Sequence, residues 1–241
     1  MRFDSRARSL YIAKDMDGHG RPALDRETID AVLFDLDGTL MDSDDQVVES
    51  LALRLQRFGW RYPYRAARSL VMTAETPLNG LMTLLDRLGL DAPLQRMWAR
   101  SRGLRRGATP PDYRLMEGAD VMLAELRQRY RLVVVTTRGR GDAQAFLGQH
   151  ELGDLFEAVV TRESTRRLKP HPEPICRAAD QLGVPVERCV MVGDTTMDVR
   201  SARQAGARAV AVLCGFGGRR ELERAGADVV LDHVVDLSAV L

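Results

Sequence analysis

The stretch AVLFDLDGTL, residues 31–40, decides the fold of this chain. Residues 31–34 are all apolar, and an apolar run without a polar face is typical of a parallel strand that helices cover on both sides. Asp35 and Asp37 follow this run directly, and Gly38 permits a tight turn. Two carboxylates in such a turn can differ in role, one ionised towards a metal and the other exchanging a proton. The stretch therefore predicts a strand that ends in a chemically active turn.

Several later runs resemble this first strand. Each is short, apolar and rich in β-branched residues; they are 132–135, 158–160, 189–192, 209–213 and 229–231. Helical patterns alternate with them: apolar residues recur at helical spacing from Ile175 to Leu182, and Gly183 follows as a C-terminal cap. Alternating strands and helices predict an α/β fold with a doubly wound parallel sheet.

The segment 43–112 interrupts this alternation, because it contains helical stripes but no strand-like run. It begins directly after the first strand and its turn, so we expect an inserted α-helical cap domain above the carboxyl ends of the strands, where open α/β sheets bind ligands. The predicted organisation is a loosely packed N-terminal extension over residues 1–30, a core over 31–42 and 113–241, and a cap over 43–112.

Composition narrows the class of protein. The chain has 241 residues, 45% of them hydrophobic, and a formal net charge of +1, which predicts no field for binding nucleic acid. No apolar stretch is long enough to span a membrane, and the N-terminus lacks the apolar region of a signal peptide. The three cysteines are widely spaced and form no metal or redox pattern, which favours a reducing cytoplasm. We expect a cytoplasmic monomer or homodimer.

A second copy of the acidic turn occurs at residues 15–18, with the sequence DMDG. It lacks the long apolar strand before it and the Thr-Leu pair after it. Because Asp and Gly are common in turns, we interpret this copy as an accidental polar turn. A carboxylate pair of this kind becomes specific only together with other motifs.

Four motifs in order make the chain resemble the haloacid dehalogenase superfamily, most of whose members are phosphatases. They are the turn 35–39, Thr136 at the end of a strand, Lys169 before a proline, and the segment GDTTMD over 193–198. The position of the cap, between the first and second motifs, is similar to that of the phosphoglycolate phosphatase-like branch. The resemblance implies a core of the same Rossmann-like fold and a hydrolase.

The resemblance also implies roles for the carboxylates. Asp35 would be the covalent nucleophile, and Asp37 would protonate the leaving group and then deprotonate water. Mg²⁺ would be held by Asp35, the backbone carbonyl of Asp37 and Asp194, which offer the oxygen ligands that this ion prefers. Asp198 would hold a metal-bound water or orient the ligands.

Phosphate contacts follow from the same resemblance. Lys169 would neutralise the charge of the Asp35–phosphate pair. Thr136 would donate a hydrogen bond to a phosphate oxygen, helped by backbone N–H groups near Leu36 and Thr137. Thr137 departs from many relatives, which carry Asn at this position.

The function that these features predict is a magnesium-dependent phosphatase that hydrolyses a small phosphorylated metabolite through an aspartyl-phosphate intermediate. A phosphomutase of the same superfamily, which also uses both Asp residues, and a catalytically inactive binding protein on this fold stay open as alternatives. Dehalogenases and phosphonatases are disfavoured because they lack the second Asp, here Asp37. A signalling receiver domain is disfavoured because its phosphorylated Asp ends a middle strand, whereas Asp35 follows the first strand of this core. Specificity is expected to lie in the predicted cap.

Overall fold

The computed structural model describes residues 24–42, 55–56 and 113–241. The predicted cap, apart from residues 55–56, therefore lies outside the described residues, as do the second DMDG turn and residues 1–23. The predictions made for those segments stay predictions.

The core is a parallel sheet whose strands run in the order β3-β2-β1-β4-β5-β6. In chain order the strands are β1 (Ala31–Phe34), β2 (Arg131–Val135), β3 (Ala158–Val160), β4 (Cys189–Gly193), β5 (Arg208–Val212) and β6 (Val229–Leu231). Every pairing is parallel. The strands predicted from the apolar runs are confirmed, with ends that shift by one residue at most.

Helices alternate with the strands, as expected of a doubly wound fold. They are α1 (Ala119–Leu126), α2 (Arg140–Gln149), α3 (Glu173–Leu182), α4 (Thr196–Ala205), α5 (Arg219–Ala225) and α6 (Leu237–Val240). The predicted helix after Pro172 is confirmed as α3, and Gly183 ends it with a φ of 66° in the left-handed region.

Apolar side chains alternate between the two faces of the sheet and form two hydrophobic layers. On one face, Val32 and Phe34 of β1 pack with α1, α2 and α6. On the other face, Ala31 and Leu33 pack with α3 and α4. Because both faces are covered, β1 is buried over its whole length. This sandwich rigidly fixes the end of β1, from which the acidic turn projects.

The strand order reverses at β1, which lies between β2 and β4. Phe34 is in register with Val134 of β2 and Val192 of β4. The residues that follow these three strands therefore meet at one edge of the sheet. In open α/β sheets this switch point is where ligands bind.

Packing of the chain begins before β1. Leu24 and Ile29 are buried in the same hydrophobic layer as Phe34. Arg26 donates hydrogen bonds to backbone carbonyls near the C-terminus, and Asp30 pairs with Arg188. Residues 24–30 are therefore packed against the core, although two spaced apolar residues are too few to predict a buried segment from the sequence.

The two ends of the core that flank residues 43–112 lie side by side. The Asp42 N–H donates to the Arg114 carbonyl at 2.9 Å, and the Met116 N–H donates to the Leu40 carbonyl at 2.9 Å. A segment inserted between these ends can leave and rejoin the core without disturbing the sheet, and the domain division itself stays a prediction. Among the described residues, no helix combines the length and apolarity that a membrane crossing requires.

Candidate active site

Three buried carboxylates meet at the switch point of the sheet. Asp35 directly follows β1, Asp194 directly follows β4, and Asp198 lies in the first turn of α4. One ligand oxygen from each lies within 4.8 Å of the others. The sequence motifs that contain these residues are far apart in the chain, and the parallel sheet brings them together.

A buried lysine stands between two of these carboxylates. The Nζ atom of Lys169 lies 3.0 Å from Oδ1 of Asp35 and 2.6 Å from Oδ1 of Asp198. It also donates to the Val135 carbonyl at 3.0 Å, at the end of β2. These contacts hold a positive charge beside Asp35.

The protonation of this pair is set by burial and by charge. Burial raises the pKa of Asp35 to about 7, although the nearby Lys169 charge lowers it and the Asp198 and Asp37 charges raise it further. Burial alone would lower the pKa of Lys169, but the carboxylates of Asp198 and Asp35 outweigh that effect and raise it. Lys169 is therefore a permanent cation at neutral pH.

Asp194 lies in a close-fitting loop. Its Oδ2 atom accepts a hydrogen bond from the Phe216 N–H at 2.8 Å, and its backbone carbonyl accepts one from the Gly217 N–H at 3.0 Å. A Cβ atom at Gly38 would lie 2.3 Å from Oδ2 of Asp194, and one at Gly215 would lie 2.2 Å from it. Only glycine fits at these two positions, so both serve to place the Asp194 carboxylate.

Asp198 has protein donors on both carboxylate oxygens. Oδ1 contacts Lys169, while Oδ2 accepts from the Thr195 N–H at 3.1 Å and from the Thr195 hydroxyl at 2.6 Å. These contacts cap the N-terminus of α4. The arrangement suits an orienting role for Asp198, which fixes Lys169 while itself fixed by the helix.

The predicted phosphate-binding residues lie at the ends of β1 and β2. Thr136 is buried, its N–H donates to the Val160 carbonyl at 2.9 Å, and its hydroxyl accepts from the Arg138 N–H at 3.1 Å. A hydroxyl that accepts can still donate its own hydrogen to a phosphate oxygen. Thr137 is half-buried beside it, and Leu36 is buried between the two aspartates of the turn.

Asp37 has a partner that the sequence analysis missed. The Nε atom of Arg138 lies 2.7 Å from Oδ2 of Asp37, and Nη2 lies 2.5 Å from Oδ1. Arg138 follows the Thr136-Thr137 pair, and this position in the loop after β2 is the only signal in the sequence. Without knowledge that β1 and β2 are neighbours, that signal could not be connected with Asp37.

A divalent metal fits the acidic cluster. Asp35 Oδ1 is buried and accepts no well-aligned hydrogen bond, in spite of its 3.0 Å contact with the Lys169 ammonium. A buried carboxylate oxygen in this position has capacity for a further positive partner. Carboxylate oxygens are ligands for hard cations such as Mg²⁺. Asp35 and Asp194 would hold such an ion together with the backbone carbonyl of Asp37.

The chain is similar in sequence and in fold to known proteins. The chain is 30% identical over 215 residues to "Pyrophosphatase PpaX" of Bacillus cereus (strain AH820), covering 88% of this chain and 96% of that protein. The fold is similar to that of a predicted phosphoglycolate phosphatase from Haemophilus somnus 129PT, with a TM-score of 0.61, 22% identity, and 87% and 96% of the two chains covered.

A second solved structure has the same fold. It is a HAD family hydrolase from Deinococcus radiodurans R1 with bound phosphate and sodium, with a TM-score of 0.65, 24% identity, and 89% and 98% of the two chains covered. The sequence profile described as "Haloacid dehalogenase-like hydrolase" matches residues 32–212, which contain all four motifs. The chain belongs to the haloacid dehalogenase-like hydrolases.

Proposed function

We propose that this hydrolase is a magnesium-dependent phosphatase that uses Asp35 as a covalent nucleophile. The observation that carries the proposal is the buried cluster of Asp35, Asp194 and Asp198 at the switch point of the sheet, with the Lys169 ammonium in contact with Asp35 and Asp198. The related PpaX proteins of Bacillus are named pyrophosphatases, which supports phosphoryl transfer.

In the first step, a carboxylate oxygen of Asp35 attacks phosphorus and the bond to the leaving oxygen breaks. Asp37 gives its proton to that oxygen, so that the leaving group departs neutral at the broken bond. The product on the enzyme is an aspartyl phosphate. Lys169 offsets the negative charge that gathers between Asp35 and the phosphoryl group, and Thr136 donates to a phosphoryl oxygen.

In the second step, Asp37 accepts a proton from water, and the water oxygen attacks phosphorus. The acyl–phosphate bond breaks, which restores Asp35 and releases inorganic phosphate. Mg²⁺ bound by Asp35, Asp194 and the Asp37 carbonyl would supply charge compensation between the nucleophile and the phosphoryl oxygens.

The substrate class is a small phosphorylated metabolite, and its identity would be set in the segment 43–112. Pyrophosphate is included because of the name of the PpaX relatives. A phosphomutase would transfer the phosphoryl group from the enzyme to a second alcohol instead of water, and an inactive binding protein would do neither. We further propose that the protein acts in the cytoplasm as a monomer or homodimer, without nucleic acid or membrane partners.

A phosphatase assay on the full chain tests the proposal. We expect release of inorganic phosphate from an aryl phosphate with Mg²⁺ and loss of that release after chelation. The Asp35→Asn variant should lose several orders of magnitude in turnover, as expected for a covalent nucleophile. An Asp15→Asn variant, in the second acidic turn, is the matched control and should retain activity.

Two outcomes would contradict the proposal. Activity undiminished by chelation would contradict the metal assignment, and near-normal turnover of Asp35→Asn would contradict the nucleophile. A panel of phosphorylated metabolites with Mg²⁺ then identifies the substrate. Phosphoryl transfer between two sugar positions in that panel, without release of phosphate, would favour the phosphomutase.

A further inference from the structure

The ion pair between Asp37 and Arg138 is the starting observation. The guanidinium approaches both carboxylate oxygens of Asp37, at 2.7 Å and 2.5 Å. This is the fork geometry in which arginine binds planar anions in a bidentate manner. Both side chains are partly exposed, at 25% for Arg138 and 30% for Asp37, so a ligand can reach the pair.

The guanidinium also contacts an aromatic ring. The Cζ atom of Arg138 lies 5.5 Å from the centre of the Tyr113 ring, within the range of a cation–π contact. Burial would lower the pKa of Arg138, but Asp37 raises it, and Tyr113 and Asp142 raise it further. The contacts with Asp37 and Tyr113 hold the Arg138 guanidinium in place.

Tyr113 is itself held in place by α2. Its backbone N–H donates to Oε1 of Gln149 at 3.3 Å, and its carbonyl accepts from Nε2 of Gln149 at 2.8 Å. The ring packs edge-to-face against Phe146, with centroids 6.2 Å apart. The support of Arg138 therefore belongs to the rigid core.

The pairing of Arg138 with Asp37 places its positive charge near the leaving group. In the proposed mechanism, Asp37 exchanges a proton with the leaving oxygen, so any group bonded to the Asp37 carboxylate stands next to that oxygen. The backbone N–H of Arg138 donates to the Thr136 hydroxyl at 3.1 Å, so the backbone of this residue lies on the phosphate side of the site. The guanidinium, which is paired with the Asp37 carboxylate, therefore lies next to the leaving group.

A bidentate pair also restrains Asp37. With both oxygens bonded to Arg138, neither is oriented for proton exchange with a substrate. An anionic group on the substrate can replace one of these oxygens on the guanidinium, because carboxylate and phosphate are the anions that arginine binds best. That exchange frees an Asp37 oxygen, which takes up a proton from solvent and can then give it to the leaving oxygen.

We propose that Arg138 is a specificity-determining residue that selects substrates whose leaving group carries its own negative charge, such as a phosphate or a carboxylate. The inference rests on the proposed function, since it assigns the substrate class of that same site. With an uncharged leaving group, the ion pair between Asp37 and Arg138 stays intact, and the substrate is hydrolysed more slowly. Arg138 acts by charge and fork geometry, and not as a proton donor.

Matched substrates test the proposal on the full chain with Mg²⁺. Phosphoglycolate and its uncharged amide differ in one charge on the leaving group and have nearly the same size. Inorganic pyrophosphate and ethyl phosphate form a second pair. The readout is the ratio of kcat/KM for the charged substrate to that for the uncharged one, which a merely structural defect would leave unchanged because it slows both.

The wild-type protein should prefer the charged member of each pair. In Arg138→Met we expect the ratio to fall about tenfold to a hundredfold, the usual effect of losing hydrogen bonds to a charged group. Arg138→Lys, which keeps the charge without the fork, should give an intermediate ratio. Arg140→Met, at an exposed arginine on the first turn of α2, is the matched control and should leave the ratio unchanged.

The outcomes separate this proposal from the proposed function. A wild-type protein that hydrolyses none of the four substrates and no aryl phosphate contradicts the proposed function. A wild-type protein that is active, with the same ratio in Arg138→Met, overturns only the role of Arg138. If thermal unfolding shows that Arg138→Met is not folded, the ratio in Arg138→Lys decides, and an unchanged ratio there overturns the proposal.

Discussion

The Nζ atom of Lys169 lies 2.6 Å from Oδ1 of Asp198, and both side chains are almost completely buried. Asp198 is held by the N-terminus of α4, so the helix fixes the carboxylate and the carboxylate fixes the lysine. The same ammonium contacts Asp35 at 3.0 Å. An element far away in the chain thus decides the position of the positive charge beside Asp35.

Removal of the Lys169 charge should therefore affect stability as well as catalysis. In Lys169→Met, Asp198 is left buried without its cation, and we expect the free energy of unfolding to fall by about 3–5 kcal/mol. Turnover should fall strongly, because Asp35 loses its neutralising partner. Urea denaturation and phosphate release measure the two effects. A Lys169→Met variant as stable as the wild type would show that the pair contributes nothing to folding.

Asp198→Asn tests the orienting role of that residue. The amide keeps the size of the side chain but removes the charge that holds Lys169, and we expect activity to fall about tenfold to a hundredfold. Thr195→Ala is the control, because it removes one contact to Asp198 and should cost only about 0.5–2 kcal/mol of stability. In steady-state kinetics, Asp198→Asn should have the lower activity of the two variants. Equal activities would contradict the role.

Gly215→Ala should weaken metal binding, because the added methyl group displaces the Asp194 carboxylate. The added Cβ would lie 2.2 Å from Oδ2 of Asp194, so the carboxylate must move. We expect the Mg²⁺ concentration that gives half-maximal activity to rise by about tenfold or more. Gly148→Ala, in α2, meets no atom within 4 Å and is the control. It should leave Mg²⁺ dependence unchanged and raise helix stability by about 0.5–1 kcal/mol.

The ion pair of Glu157 predicts an acid-dependent part of stability. The hydrogen bond from Arg131 lowers the pKa of Glu157, with smaller contributions of the Arg131 and Arg127 charges. A carboxylate with a lowered folded-state pKa stabilises above its ordinary value of 4.5, and this stabilisation disappears as the pH falls through the folded-state value. Since the pair is partly exposed, the effect should not exceed about 1 kcal/mol.

Glu157→Gln measures that effect. Its free energy of unfolding should lie below that of the wild type at neutral pH, and the difference should vanish well below pH 4.5. Glu187→Gln, at an exposed position, serves as the control carboxylate. A difference that stays constant over the whole pH range would contradict the assigned pair.

Leu24→Ala tests the packing of the segment before β1. The side chain is 7% exposed and belongs to the main hydrophobic layer, so its truncation should cost about 2–5 kcal/mol. Val121 is 59% exposed on α1, and Val121→Ala should change stability by less than about 0.5 kcal/mol. Denaturation curves of the two variants give the comparison. A Leu24→Ala variant with wild-type stability would mean that the core begins later.

The strands could be predicted because each one is marked by a short run of neighbouring apolar residues. The run 31–34 is apolar at every position, and such runs must be covered on both faces. The short helices α1 and α2 were not singled out, since each buries only a few residues and gains its stability from packing against the sheet. Burial of Leu24 and Ile29 was missed for the same reason. The segment 43–112 stays a prediction.

The sequence by itself determined the motifs: which carboxylates end the strands, which lysine precedes the proline, and which residues are candidates for proton exchange or metal binding. The tertiary structure decided which of these side chains meet. The parallel order of β2, β1 and β4 brings Asp35, Asp194 and Thr136 to one edge, and the same order places Arg138 on Asp37. Contacts between neighbouring strands depend on sheet topology, which has no local signal in the chain, and for that reason Arg138 became visible only in the fold.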